Sequence, residues 1–103
     1  MAFLNTTLTN LDTNSVGAKT ASIDVTGQTI VAWRVISKTG SHNNHRIKVR
    51  GSLDDTTFFP LKFTLEGADV MSTLIDLSIG YIKFRVSTAE GSTSTVDIGI
   101  NAK

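Results

Sequence analysis

Apolar and polar residues alternate with a period of two along most of this chain, and the clearest stretch is His45 to Leu65, HRIKVRGSLDDTTFFPLKFTL. Ile47, Val49 and Gly51 share one parity while Lys48, Arg50 and Ser52 share the other, so a strand sends the two sets to opposite faces. After a polar break, Phe59, Leu61, Phe63 and Leu65 keep one parity against Phe58, Pro60, Lys62 and Thr64. Asp54-Asp55-Thr56 supplies side chains that bond their own backbone, which predicts a hairpin turn between the two runs.

The same reading extends to both sides. In residues 1–19, Phe3, Leu4, Leu8, Leu11 and Val16 are scattered among Asn and Thr without a sustained period, which predicts an arm or edge strand over 3–9 and then a loop. The domain proper is expected over 20–103. Ala21, Ile23 and Val25 alternate with Ser22, Asp24 and Thr26. Thr29 to Ser37 is apolar on both parities except at Arg34, as for a strand covered on both sides or sealed by a neighbouring subunit. Three more strands follow over 71–77, 81–88 and 93–101, with turns at Glu66-Gly67-Ala68-Asp69 before the first and Ala89-Glu90-Gly91-Ser92 before the last.

Seven strands, or eight with the arm, at short spacing and without any helical period predict an all-β fold. The expected form is an antiparallel β-sandwich, jelly-roll or Ig-like. Its predicted core is Ile23, Val25, Val31, Trp33, Val35, Ile47, Val49, Phe59, Leu61, Phe63, Ile75, Leu77, Ile82, Phe84, Val86, Val96, Ile98 and Ile100.

Composition sharpens the picture. The chain has 15 Thr and 10 Ser, a bias that suits half-wet strand faces and turns rather than helices. A length of 103 residues suits one domain. With ten Lys+Arg against nine Asp+Glu, the net charge of +1 gives no global pull towards nucleic acid or anionic lipid. Cysteine is absent, which removes disulfides, thiolate nucleophiles and the usual zinc frameworks. The first residues, MAFLNTTLTNLD, have neither a basic region nor an apolar run, so neither a Sec-type precursor nor a membrane protein is expected.

Candidate chemistry is sparse. His42 and His45 stand three apart, a spacing found in metal sites, but no third ligand lies near in sequence, and a solvated turn is the expectation. Asp54 and Asp55 are too few for a calcium loop and are assigned to the turn. No nucleophile context exists, so no catalytic residue, metal or cofactor is expected and the chain is not read as an enzyme. Arg34, Lys38, Arg46, Lys48 and Arg50 cluster in a stretch without acids, and with Lys83 and Arg85 their outward parity predicts a basic stripe. The stripe lacks the interleaved exposed aromatics that single-stranded nucleic acid would need. An ordinary solvated face is the first expectation for it, and a patch that docks an acidic protein surface the next, ahead of nucleic acid.

Val49 to Leu61, VRGSLDDTTFFPL, resembles the S-x-D-G-t-x-F/W hairpin of small β-sandwiches, with Asp55 where a Gly is usual. That hairpin recurs in phage virion proteins, including capsid decoration and tail-associated modules, and in discoidin-like carbohydrate-binding domains. Gly80 to Ile100, GYIKFRVSTAEGSTSTVDIGI, is similar to the closing hairpin of such domains. The resemblance implies a capsid decoration (cement) protein of a bacteriophage, made in the host cytoplasm and located on the capsid surface of the virion. Its implied partners are the major capsid protein or another virion protein and copies of itself, with a trimer as one arrangement. The alternative is a carbohydrate-binding module on a tail or fibre. Expected interface residues are Phe3, Leu4 and Leu8 on the arm and Arg46, Lys48 and Arg50 on the stripe.

Overall fold

The structure is a computed structural model and describes residues 4–67, 71–74 and 79–103, with the backbone alone for 71–74. Eight strands are present among the described residues: β1 (Leu4–Asp12), β2 (Ile23–Asp24), β3 (Val31–Thr39), β4 (Arg46–Ser52), β5 (Phe58–Glu66), β6 (Met71–Leu74), β7 (Tyr81–Thr88) and β8 (Thr95–Ala102). They form two four-stranded antiparallel sheets, ordered β1-β8-β3-β6 and β2-β7-β4-β5. β1 pairs with β8, β2 with β7, β3 with β6 and β4 with β5, as in one long hairpin rolled up so that β8 also meets β3 and β7 also meets β4. That winding is a jelly roll. The sandwich expectation holds, and of its two forms the topology selects the first.

The inward parity of each strand supplies the core. Val31, Trp33 and Val35 of β3 and Val96, Ile98 and Ile100 of β8 face Ile47 and Val49 of β4 and Ile82, Phe84 and Val86 of β7, all buried. Trp33 packs edge-on against Phe84 and Phe63, with ring centroids 5.8 and 5.4 Å away. Val25 is buried, and Ile23, Leu61 and Phe63 pack partly buried against this cluster. Leu11, Leu65, Ile79 and Ala102 join the core without having been expected there. Ile75 and Leu77 lie outside the described residues.

Phe59 is a correction. It is 39% exposed. It keeps inward parity opposite Gly51, but β5 takes four residue steps from Thr64 to Pro60 where β4 takes two from Lys48 to Arg50. The bowed strand carries Phe59 off the core.

Hydrogen bonds fix the turn between β4 and β5. The Ser52 hydroxyl accepts from the Asp54 and Asp55 amides and donates to Asp54 Oδ1, which also accepts from Thr56 and Thr57 N–H. The Thr57 and Thr56 amides and the Ser52 hydroxyl hold the Asp54 carboxyl below its usual range. Asp55 follows with φ of 62°, a left-handed conformation for which Gly is better suited.

Of the two readings for the N-terminal stretch, arm or edge strand, the structure shows the edge strand. β1 runs along β8 with Leu4 and Leu8 partly buried against the core of their own sandwich. The register jumps between Leu8 and Leu11, where Asn10 has φ of 61° and donates its amide to Asp97 Oδ1. This bulge moves the inward parity from even to odd positions, which is why the apolar residues look scattered.

Candidate functional site

Outward-facing cations gather on the sheet that contains β4 and β7. Register places Lys48 opposite Arg85 and Arg50 opposite Lys83, so two residues of each strand form a block of four positive charges. The chain before β2 adds a fifth. Gly17 N–H donates to Val86 O, Val86 N–H to Ala18 O and Thr20 N–H to Phe84 O, which lays residues 17–20 along the free side of β7 and bridges Lys19 to Arg85.

Between these strands and the β4–β5 turn lies a cleft of about 520 Å³, lined by Lys19, Arg50, Lys83 and Arg85 with Gly17, Thr56 and Phe58. Arg50 is steadied by donating to the Phe58 carbonyl at 3.1 Å. Lys83 Nζ stands 3.9 Å over the centre of the Phe58 ring, a cation–π contact. Desolvation, and then the positive charges of Lys19 and Arg50, push the Lys83 ammonium below the usual lysine value, with Asp55 opposing. The ion pairs among the described residues lie elsewhere: Lys38 with Asp97, His45 with Glu90 and Arg46 with Glu66. Like charges at this spacing repel one another and attract anions, with Asp55 offsetting them in part.

The expected stripe is therefore divided. Arg50 lines the cleft and Lys48 flanks it, but Arg46 spans to Glu66 at 3.2 Å at the far end of β4. Arg34 and Lys38 sit on the other sheet, because β3 and β4 are consecutive in sequence yet belong to opposite layers. Lys38 is 3.6 Å from Asp97 there. Leu4 and Leu8 are also on that other sheet and face inward, away from the cleft. Phe3 lies outside the described residues. Lys19, Thr56 and Phe58 were missed. Thr56 belongs to a turn legible in sequence and Phe58 opens the strand after it, whereas nothing local to Lys19 signals that it runs beside β7.

The expectation of a solvated turn around the two histidines is corrected. His45 is 1% exposed, with Nδ1 3.0 Å from Glu90 Oε1 and Nε2 donating to the Gly67 carbonyl at 2.8 Å. Glu90 Oε1 also accepts from the Asn44 and His45 amides. Burial alone would raise the Glu90 pKa, but the Asn44, His45 and Asn43 amides and the His45 ring outweigh it and hold the carboxyl down to about 2. The reason is position: the β7–β8 turn folds over the start of β4, and Glu90 plugs that end of the sandwich. His42 meets His45 edge-on at 5.6 Å rather than converging on a common point, and no metal-binding group of side chains is found among the described residues.

A scan of protein-family models finds no match to the chain, and a search of curated proteins finds none either. Among solved structures the fold is similar to the SPBc2 prophage-derived protein YomS, with a TM-score of 0.71 at 10% identity over 100% of this chain and 96% of that one. It is also similar to FLHE, with a TM-score of 0.56 at 14% identity over 98% of this chain and 94% of that one. At such identities the likeness establishes a shared fold. The class defined by fold and cleft together is a small jelly-roll domain with a basic cleft on one sheet.

Proposed function

We propose that this chain is a structural protein of a bacteriophage particle that docks without turnover on an acidic protein surface, with the lattice of the major capsid protein as its destination. The observation that carries this reading is the cleft of Lys19, Arg50, Lys83 and Arg85. The likeness to a prophage-derived protein supports the phage setting, and so does the resemblance of the Asp-turn hairpin between β4 and β5 to that of small virion sandwiches. The carbohydrate-binding alternative lacks comparable support. Trp33 is buried in the core, and the face of Phe58 is taken by Lys83.

Attachment to purified phage heads tests the reading. Arg50→Glu and Lys83→Glu should each weaken attachment by about tenfold or more and reduce its salt sensitivity, since a docking cation lost removes a screened attraction. Arg46→Glu, at the paired end of β4, should have a smaller effect. Wild-type binding that ignores salt between about 50 and 500 mM, or absence of the protein from particles, overturns the proposal.

A further inference from the structure

The four sheet edges of this molecule are not equally protected. β2 is two residues long and β6 four, and β5 carries exposed Pro60 and Lys62, devices that discourage pairing with another chain. β1 is nine residues long, contains no Pro, Lys or Arg, and meets its first charge only at Asp12. Its inward Leu4 and Leu8 are only partly buried. Among the described residues β1 pairs with β8 alone and its other side carries no further strand, while an open groove of about 520 Å³ lies between Thr7–Asp12 and Ala18–Ala21.

We propose that β1 pairs antiparallel with β1 of a second copy, about a two-fold axis at Thr6. The order Leu4-Asn5-Thr6-Thr7-Leu8 is close to self-complementary in that register. Leu4 lies opposite Leu8 of the second copy, Thr6 opposite Thr6, and Asn5 opposite Thr7. All three pairings join like parities, so the inward faces of the two sheets become continuous. Each half-buried leucine gains the other copy's leucine as its missing neighbour, and no like charges meet. Pairing stops at Leu8, because Asn10 is in the left-handed conformation with its amide turned to Asp97. A copy of this chain fits better than an unrelated strand because the match of leucine to leucine is written into five residues. The result is one eight-stranded sheet, β6-β3-β8-β1-β1-β8-β3-β6. This inference rests on the edge alone and stands or falls independently of the phage role.

Sedimentation equilibrium of the full chain tests it. Wild type at about 100 µM is expected at twice the 11.1 kDa of one chain. Asn5 and Thr7 are exposed, so Asn5→Lys with Thr7→Lys should leave circular dichroism unchanged while placing lysines opposite lysines and raising the dimer Kd about tenfold or more. Asn5→Lys with Thr7→Glu sets each lysine against a glutamate of the other copy and should restore the dimer. A wild-type monomer, a trimer or larger ring, a dimer indifferent to the paired lysines, or failure of the Lys/Glu exchange to restore it each overturns the proposal. Should the double-lysine variant misfold, amide exchange of wild type decides: protection at Leu4–Leu8 must rise with protein concentration, and protection that does not rise overturns it.

Discussion

Replacing Gly40 by alanine should be among the most damaging single-methyl changes in the molecule, and its magnitude can be separated into parts. Gly40 leaves β3 with φ of 77°, a conformation that costs an alanine about 1–2 kcal/mol. Loss of unfolded-state freedom returns about 0.4–1 kcal/mol, so the backbone contribution alone is about 1 kcal/mol. A Cβ here would also overlap the Thr93 carbonyl oxygen and come within 3.0 Å of Ser94 Cα. Both are backbone atoms at the mouth of β8, where Thr39 and Thr95 join their hydroxyls at 2.6 Å, and they cannot move without pulling β8 from β3. Overpacking of this kind adds about 1–3 kcal/mol, giving about 2–4 in total. Gly27 provides the control: its φ is 80°, but no atom lies within 4 Å of a Cβ placed there, so Gly27→Ala should cost about 1 kcal/mol or less. Urea titrations of the two variants, compared by midpoint at constant slope, isolate the steric part. In heat, each kcal/mol should appear as a fall in Tm of about 4–8 °C. If the two variants agree within about 0.5 kcal/mol, the close approach of the β3–β4 connection to β8 is wrong.

Other expectations follow from the same structure. Asp55→Gly should stabilise the fold by about 1 kcal/mol, because φ of 62° costs a glycine nothing, and a lower urea midpoint would show that the aspartate side chain matters more than its backbone. Glu90, whose carboxyl is held near 2 against an ordinary 4.5, contributes stability that is fully present above about 4.5 and is lost as pH falls towards 2. Melting curves of wild type should therefore drop over that window, and Glu90→Gln should flatten the drop; equal acid slopes would refute the plug at that end of the sandwich.

Most of the sandwich could be read from the chain because strand parity is a local property. Ile47 and Val49, Ile82 to Val86 and Val96 to Ile100 alternate without interruption and face the core as expected. Legibility failed where one residue broke the count. Asn10 bulges β1 and turns the even-numbered Leu4 and Leu8 and the odd-numbered Leu11 to the same side, a pattern without any single period. The extra residues of β5 likewise lift Phe59 away from the interior. For the basic cleft, Arg50, Lys83 and Arg85 shared a visible outward parity, but their alignment depended on the pairing of β4 with β7, which no short window encodes. Lys19 entered through backbone bonds to residues more than sixty positions away. His45 looked solvated because its partner, Glu90, is forty-five residues distant.

The place of β8 has a consequence for how such a chain comes into being. Among the described residues β1 has β8 as its only strand neighbour, and β3 needs β8 on one side, so this sheet lacks a central member until the eighth strand is available. During synthesis at about 5–20 residues per second, the first strand, uncharged up to Asp12, waits several seconds without the partner it will keep. The other sheet is less dependent, since β4 and β5 can close their hairpin at once. Neighbouring ribosomes on one message would meanwhile present several such waiting strands side by side. A truncation that removes β8 should therefore leave aggregating chains, whereas one that removes β1 deprives only an edge.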